Sequence, residues 1–235
     1  MPRERGLVIA IDGPSGAGKS TAGRALAERL GYTFVDTGAM YRALALKALE
    51  SHVDLASEEA LAALARETRI ELVAGGRSVR LDGREVTSQI RSREVSAASS
   101  RISVHPGVRR DMVARQRDMG RTGGIVLDGR DIGTAVFPDA EVKFYLDADP
   151  TRRAQRRHVE LAAAGSASDL NVVERDLRAR DHADSTRQDS PLVRAEDAIY
   201  LDTTTLIPAE VVERMVAAVV AREPSLASTD ERHSR

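Results

Sequence analysis

The chain has 235 residues, no cysteine and a formal net charge of −1. That length can bury one substantial core, the near-zero charge argues against a nucleic-acid surface or an anionic membrane as partner, and the missing thiols exclude disulfides, thiolate metal sites and cysteine nucleophiles. No apolar run approaches a membrane span, the longest late one being Met215 to Ala221, so a monomer in a reducing, cytoplasmic setting is expected.

Taken in chain order, Leu7–Ile11 is a short apolar run suited to a parallel strand buried on both faces. It leads into Gly13-Pro14-Ser15-Gly16-Ala17-Gly18-Lys19-Ser20, whose G-x-x-x-x-G-K-[ST] spacing is that of a P-loop. Glycines let such a loop curl its N–H groups inward around polyphosphate, and a helix predicted over Lys19–Leu30 adds its positive end. Lys19 supplies a point charge near the β and γ phosphates, and the Ser20 hydroxyl is a candidate Mg²⁺ ligand. The segment therefore reads as a nucleoside triphosphate site.

A second strand, Tyr32–Val35, precedes Asp36-Thr37-Gly38-Ala39-Met40-Tyr41-Arg42, where Arg42 could grip a second phosphate and Asp36 or Thr37 could instead cap the helix predicted over Ala39–Ser51. Another helix is predicted over Ser57–Thr68. Arg69 to Val86 then reads as small strands with turns at Gly75-Gly76 and Asp82-Gly83, inserted between core strands.

After a helix over Val108–Met119 comes the strand Ile125–Leu127, followed by Asp128-Gly129-Arg130-Asp131-Ile132-Gly133-Thr134. Asp128 stands where P-loop enzymes place a carboxylate for the Mg²⁺ shell, while Arg130 suits a phosphate and Asp131 a base. Beyond the strand Val142–Leu146, helices over Thr151–Ala164 and Val172–Asp184 form a polar, arginine-rich stretch that resembles a mobile cover with a loose middle at Gly165–Ser168. Arg180, Asp184 and Arg187 fall on one helical face if the helix continues that far, with Asp176 on the same stripe, although a solvated salt-bridge stripe fits equally. Only three of the 35 basic residues are lysine (Lys19, Lys47 and Lys143), so an arginine cluster is weak evidence in this chain. The strand Ala198–Leu201 and a helix over Pro208–Ala221 complete the pattern, and the polar tail from Glu223 is expected to be disordered.

Strands alternating with helices predict an α/β fold of the P-loop NTPase type: a three-layer, doubly wound, five-stranded parallel sheet. One domain is expected over 1–222, with core segments 6–56, 96–147 and 195–222, a substrate-binding insertion at about 57–95 and an arginine-rich lid at about 148–194.

The segments Ile11–Thr21, Asp36–Arg42, Asp128–Ala140, Arg180–Arg187, Ser190–Val193 and Leu201–Leu206 together resemble the bacterial cytidylate kinase family, over most of residues 7 to 220. The resemblance implies ATP as phosphate donor, Mg²⁺ as cofactor and CMP or dCMP as acceptor. It implies that Gly13 through Thr21 hold the ATP phosphates and that Arg42 and Arg130, helped by Arg180, hold the CMP phosphate. Ser100, Arg109 and Asp131 would read the cytosine, while Asp184 and Arg187 would contact the ribose. Lys19, Arg130 and Arg180 become the catalytic set, with Ser20 and Asp128 on the metal. The family often has glycine after the P-loop lysine; Ser20 restores the usual Mg²⁺ ligand.

The base assignment has chemistry behind it. Cytosine carries an N4 donor and an N3 acceptor where uracil has the reverse, so a carboxylate with a guanidinium pairs with the first and opposes the second. The rival from the same fold is a shikimate- or gluconate-type kinase. A guanine switch would need an N-K-x-D motif that the chain lacks, its sole asparagine being Asn171. A nucleic-acid-stimulated ATPase is disfavoured by the charge and by 3% aromatic residues.

Overall fold

The computed structural model describes residues 6–230 apart from 74, 164 and 166–168, with the side chains of 223–230 also left aside. Its elements run β1 (Val8–Asp12), α1 (Lys19–Leu30), β2 (Thr33–Asp36), α2 (Thr37–Glu50), α3 (Glu58–Glu67), β3 (Ile70–Val73), β4 (Ser78–Leu81), β5 (Arg84–Glu85), α4 (Arg93–Ile102), α5 (Pro106–Gly120), β6 (Ile125–Asp128), β7 (Val142–Asp147), α6 (Pro150–Ala163), α7 (Leu170–Thr186), β8 (Ile199–Asp202) and α8 (Pro208–Asp230). A 3₁₀ turn at Gln89–Arg91 and a π-helix at Ile132–Val136 lie between them.

Five strands pair in parallel in the order β2-β6-β1-β7-β8. From β1 the chain moves toward one edge, and from β6 toward the other, so the carboxyl ends of these two neighbours flank the reversal where α/β sheets bind ligands. Side-chain alternation builds two cores from one strand. Val8 and Ala10 join a cluster with α2, α4 and α5, while Ile9 and Ile11 join one with α1 and α8. Both faces are covered, which is why these strands read as unbroken apolar runs.

The insertion forms an antiparallel sheet in the order β3-β4-β5. Asp82 (φ 50°) and Gly83 (φ 85°) give the two positive dihedrals of a type I′ hairpin, as the Asp-Gly pair predicts. Its apolar residues are continuous with the core: Leu61, Ile70, Val79 and Ile90 belong to the same cluster as Leu44 and Met112. The helices α6 and α7 instead enclose a small cluster of their own, Ala154, Leu161, Val173 and Leu177.

Two expectations change. Helix α4 has no counterpart in the sequence reading, although Ser92 caps it by accepting the Val95 N–H and Val95, Ala98 and Ile102 make its buried stripe. Helix α8 runs to Asp230 and not to Ala221, extension of a formed helix costing little. Residues 231–235, like 1–5 and Ser166–Ser168 of the expected loose middle, lie outside the described residues.

Candidate active site

All five parallel strands end on an aspartate; Asp12 and Asp128 flank the reversal, Asp36 stands beside Asp128 on the edge strand, and the three side chains are committed to different work. Asp36 caps α2 through the Ala39 N–H (2.8 Å), as the capping reading expects, and pairs with Arg42 (3.0 Å). Asp128 accepts from the Ser20 hydroxyl at 2.5 Å, and its carbonyl accepts from Thr37 Oγ1 at 2.7 Å. Asp12 accepts the N–H groups of Ile132 and Gly133, each at 2.8 Å.

The P-loop crosses above β1 with its glycines in left-handed backbone. Gly13 (φ +143°) has no room for a side chain, since a Cβ would stand 1.9 Å from the Leu146 carbonyl oxygen. Lys19 begins α1, is buried, and donates to the Pro14 carbonyl at 2.6 Å. Burial, aided by Arg130 and opposed by Asp128, pushes its amine down to about 7. Burial and the neighbouring Asp36 push Asp128 up to about 7. A hydroxyl and a carboxylate brought together on hard oxygen atoms suit Mg²⁺, and among the described residues no group of three His, Asp or Glu side chains offers a fuller cage.

Beside the loop lies a cleft of about 270 Å³ that Lys19, Ser20, Arg42, Arg109, Arg130 and Arg180 all line. Arg42, Arg109 and Arg130 are held there by carboxylates. Arg109, 3% exposed, donates to Asp131 at 2.5 Å, and Arg187 lies 3.3 Å from the other Asp131 oxygen. Arg130 donates to Asp184 (2.8 Å) and to the Ser15 hydroxyl (2.6 Å), bridging α7 to the P-loop. Burial acts to raise Asp184, but Arg130 and Arg180 outweigh it and hold the carboxyl below its ordinary range. Burial would likewise raise Asp36, and Arg42 with the Ala39 N–H carries it below. Arg180 is brought down to about 10 by burial and by Arg130, and so keeps its charge at neutral pH.

The hairpin of α6 and α7 docks on the loop rather than standing away from it. Arg153 donates to the Ser15 carbonyl (3.1 Å) and pairs with Asp181, which also accepts the Ser15 N–H. Arg156 reaches the Thr203 hydroxyl at 3.0 Å, which in turn donates to the Ala17 carbonyl. Arg93 of α4 pairs with Asp176 at 2.7 Å; Asp176 lies one turn before Arg180 on α7 but does not line the cleft. Helix α7 ends at Thr186, and Arg187 is its extended C-cap; it enters the site from a loop, not from the helix face.

The structure brings the expected residues together around the cleft except Gly13, Pro14, Ala17 and Ser100, which do not line it. The Ser100 hydroxyl donates to the Ser96 carbonyl (3.2 Å). Ser96, Ser99 and Ser103 line it instead, on the face of α4 at i, i+3 and i+7. Adjacent serines on a helix differ by about 100° in direction, which only the buried positions Val95 and Ile102 reveal. Sequence reasoning also missed Tyr41, which lines the cleft and whose phenol burial pushes up to about 12, and Asp12.

A glycine-rich loop at the carboxyl edge of a parallel sheet, facing an arginine-lined cleft large enough for a second anion, defines a P-loop phosphotransferase. Similarity narrows the class. The profile of the cytidylate kinase family matches residues 9–221, and the chain belongs to that family. It is 50% identical over 216 residues to a cytidylate kinase of Geobacillus sp. (strain WCH70), covering 91% of this chain and 96% of the relative. A cytidylate kinase of Desulfitobacterium hafniense (strain Y51) is 51% identical over 215 residues, covering 91% and 93%. Among the described residues no helix is long and apolar enough to cross a membrane.

Proposed function

We propose that the chain transfers the γ-phosphoryl group of ATP to the α-phosphate of CMP and dCMP, giving ADP and CDP or dCDP. The buried Arg109–Asp131 pair, sharing one cleft with the P-loop lysine, carries the reading. Asp131 accepts from cytosine N4 and Arg109 donates toward N3 or O2; uracil would turn its O4 acceptor on Asp131 and its N3–H donor on Arg109, sharing only O2 with cytosine. Arg187, Asp184 and the serine face of α4 surround the nucleoside. Arg42, Arg130 and Arg180 take the acceptor phosphate, and one chain supplies both subsites, in keeping with a monomer.

A phosphate monoester has its second pKa near about 6, so the attacking oxygen is already anionic and needs no general base. That oxygen bonds to Pγ as the bond from Pγ to the ADP oxygen breaks, in line. The residues therefore position and neutralise. Lys19 leaves the Pro14 carbonyl for the phosphates of ATP, and Arg180 with Arg130 spreads the charge that develops on the γ oxygens. Mg²⁺, held by Ser20, Asp128 and phosphate oxygens, would neutralise the donor's charge. The α6–α7 hairpin, resting on Ser15 and Ala17, excludes water that would compete as acceptor.

An ADP-release assay across CMP, dCMP, UMP, AMP and shikimate tests this. Turnover is expected with CMP and dCMP, weakly with UMP, and not with shikimate. Equal use of CMP and AMP, or any use of shikimate, would overturn the reading.

A further inference from the structure

We infer that Asp12 is a positioning residue for acceptor selection: it ties the base-reading loop to the strand that carries the P-loop. The inference rests on the reading of Asp131 as the partner of cytosine. Asp12 is the last residue of β1 and is 5% exposed. Its two carboxylate oxygens are divided between two donors, Oδ1 taking the Ile132 N–H and Oδ2 the Gly133 N–H, each at 2.8 Å. Those amides open the π-helix Ile132–Val136, where backbone N–H groups have no partner inside the helix.

The residue at the head of such a helix ordinarily caps it. Asp131 occupies that place, yet its side chain makes no capping bond; its oxygens face Arg109 and Arg187 instead. Asp12 does the capping from another strand and thereby leaves the Asp131 carboxylate for a ligand. The division of labour has a geometric consequence. Asp12 is joined covalently to Gly13, where the donor loop begins, and by two hydrogen bonds to the segment that follows Asp131. A further bond, from the Gly129 N–H to the Ile11 carbonyl (2.9 Å), holds the other side of the Asp128–Asp131 loop. The distance between donor phosphates and base reader is therefore set at Asp12. Gly133 permits the approach, since a Cβ there would stand 3.4 Å from Asp12 Oδ2 and 3.0 Å from Lys143 Cδ.

A merely structural cap and a positioning residue separate in a ratio. Loss of folded enzyme scales turnover of CMP and UMP equally, whereas a displaced Asp131 lowers the preference between them. The test compares kcat/KM for CMP and for UMP, KM for ATP, and thermal midpoints in the parent, Asp12→Asn, Gly133→Ala and Asp131→Asn. The Asp12→Asn amide keeps one acceptor and turns its NH₂ on the second backbone donor. Its CMP-over-UMP preference is expected to fall about tenfold, given that misplacing a reacting geometry by about 1 Å costs up to ~10²-fold. KM for ATP should not move. Gly133→Ala crowds the same bonds from the other side and is expected to shift the preference in the same direction by less; it decides the matter if Asp12→Asn does not fold. An unchanged preference with a lowered midpoint would overturn the inference, as would a KM for ATP that rises in step with that for CMP. If Asp131→Asn itself leaves the preference intact, the base reading fails, and the role of Asp12 fails with it.

Discussion

The donor and acceptor halves of the cleft hold their cations in opposite ways. On the donor side Lys19 rests on a backbone carbonyl, in a glycine-rich loop of the kind whose N–H groups receive phosphate. On the acceptor side Arg42, Arg109 and Arg130 each rest on a carboxylate, Asp36, Asp131 and Asp184. The first arrangement yields easily to a polyphosphate, which replaces a single neutral acceptor. The second fixes guanidinium planes before the ligand arrives, and their charge persists because arginine does not deprotonate in this range. On the proposed function, donor binding would be led by the incoming charge, and acceptor binding by a prebuilt shape.

The largest effect that would break this contrast falls on Lys19. Lys19→Ala should lower turnover by about 10²–10³-fold or more, as loss of one preorganised donor does, while circular dichroism and thermal midpoint show the fold intact. Unchanged turnover would leave the donor half without its central charge. Asp131→Asn should cost CMP about 10²-fold in kcat/KM relative to UMP, since a site built on polar partners rejects a mismatched ligand strongly. It should also lower stability, because Arg109 and Arg187 lose their buried counter-charge. Equal losses for both substrates would remove Asp131 from base reading. Arg42→Ala is expected to raise KM for CMP by about ten- to a hundredfold, corresponding to ~1.5–3 kcal/mol for a charged hydrogen bond, and an unaltered KM would sink its role.

Smaller effects sharpen the contrast. Ser99→Ala should reduce kcat/KM for CMP by about fivefold, a neutral hydrogen bond contributing ~1 kcal/mol, and Ser100→Ala should leave it alone. The reverse order would restore the position favoured by family resemblance. The smallest effect concerns pH. Burial raises Asp12 from 3.8 to about 6, so its contribution to stability is full below the unfolded value and is lost as pH rises through about 6. Denaturant unfolding of the parent and Asp12→Asn should show a wider gap near about pH 4 than near about pH 8. A gap independent of pH would mean that Asp12 does not bind its proton more tightly when folded.

Much of this was legible in the sequence for physical reasons. Parallel strands buried on both faces must be short apolar runs, and Leu7–Ile11, Ile125–Leu127 and Val142–Leu146 are such runs. The P-loop glycines are forced by close approach of Leu146 and Arg153, which leaves the spacing plain. Helix α4 was hidden because its buried stripe is thin and its remaining positions are serine, alanine and charge. The Ser99 and Ser100 positions could not be separated until that helix had a face. Asp12 escaped notice because its partners are main-chain amides more than a hundred residues away, which no side-chain pattern records. The i, i+4, i+7 stripe was half right: Arg180 and Asp184 share the face, whereas Arg187 arrives from beyond the helix end.

The scarcity of lysine gives Lys19 one more property. Lys47 is paired with Asp82 and Lys143 with Asp197, each amine facing a carboxylate. Lys19 alone rests on a neutral carbonyl instead, and burial holds its basicity well below the ordinary lysine range. An acylating or aldehyde reagent small enough to enter the cleft would therefore find its preferred side-chain target in the P-loop, and ATP would shield that target, making covalent modification of a single residue a direct reporter of donor occupancy.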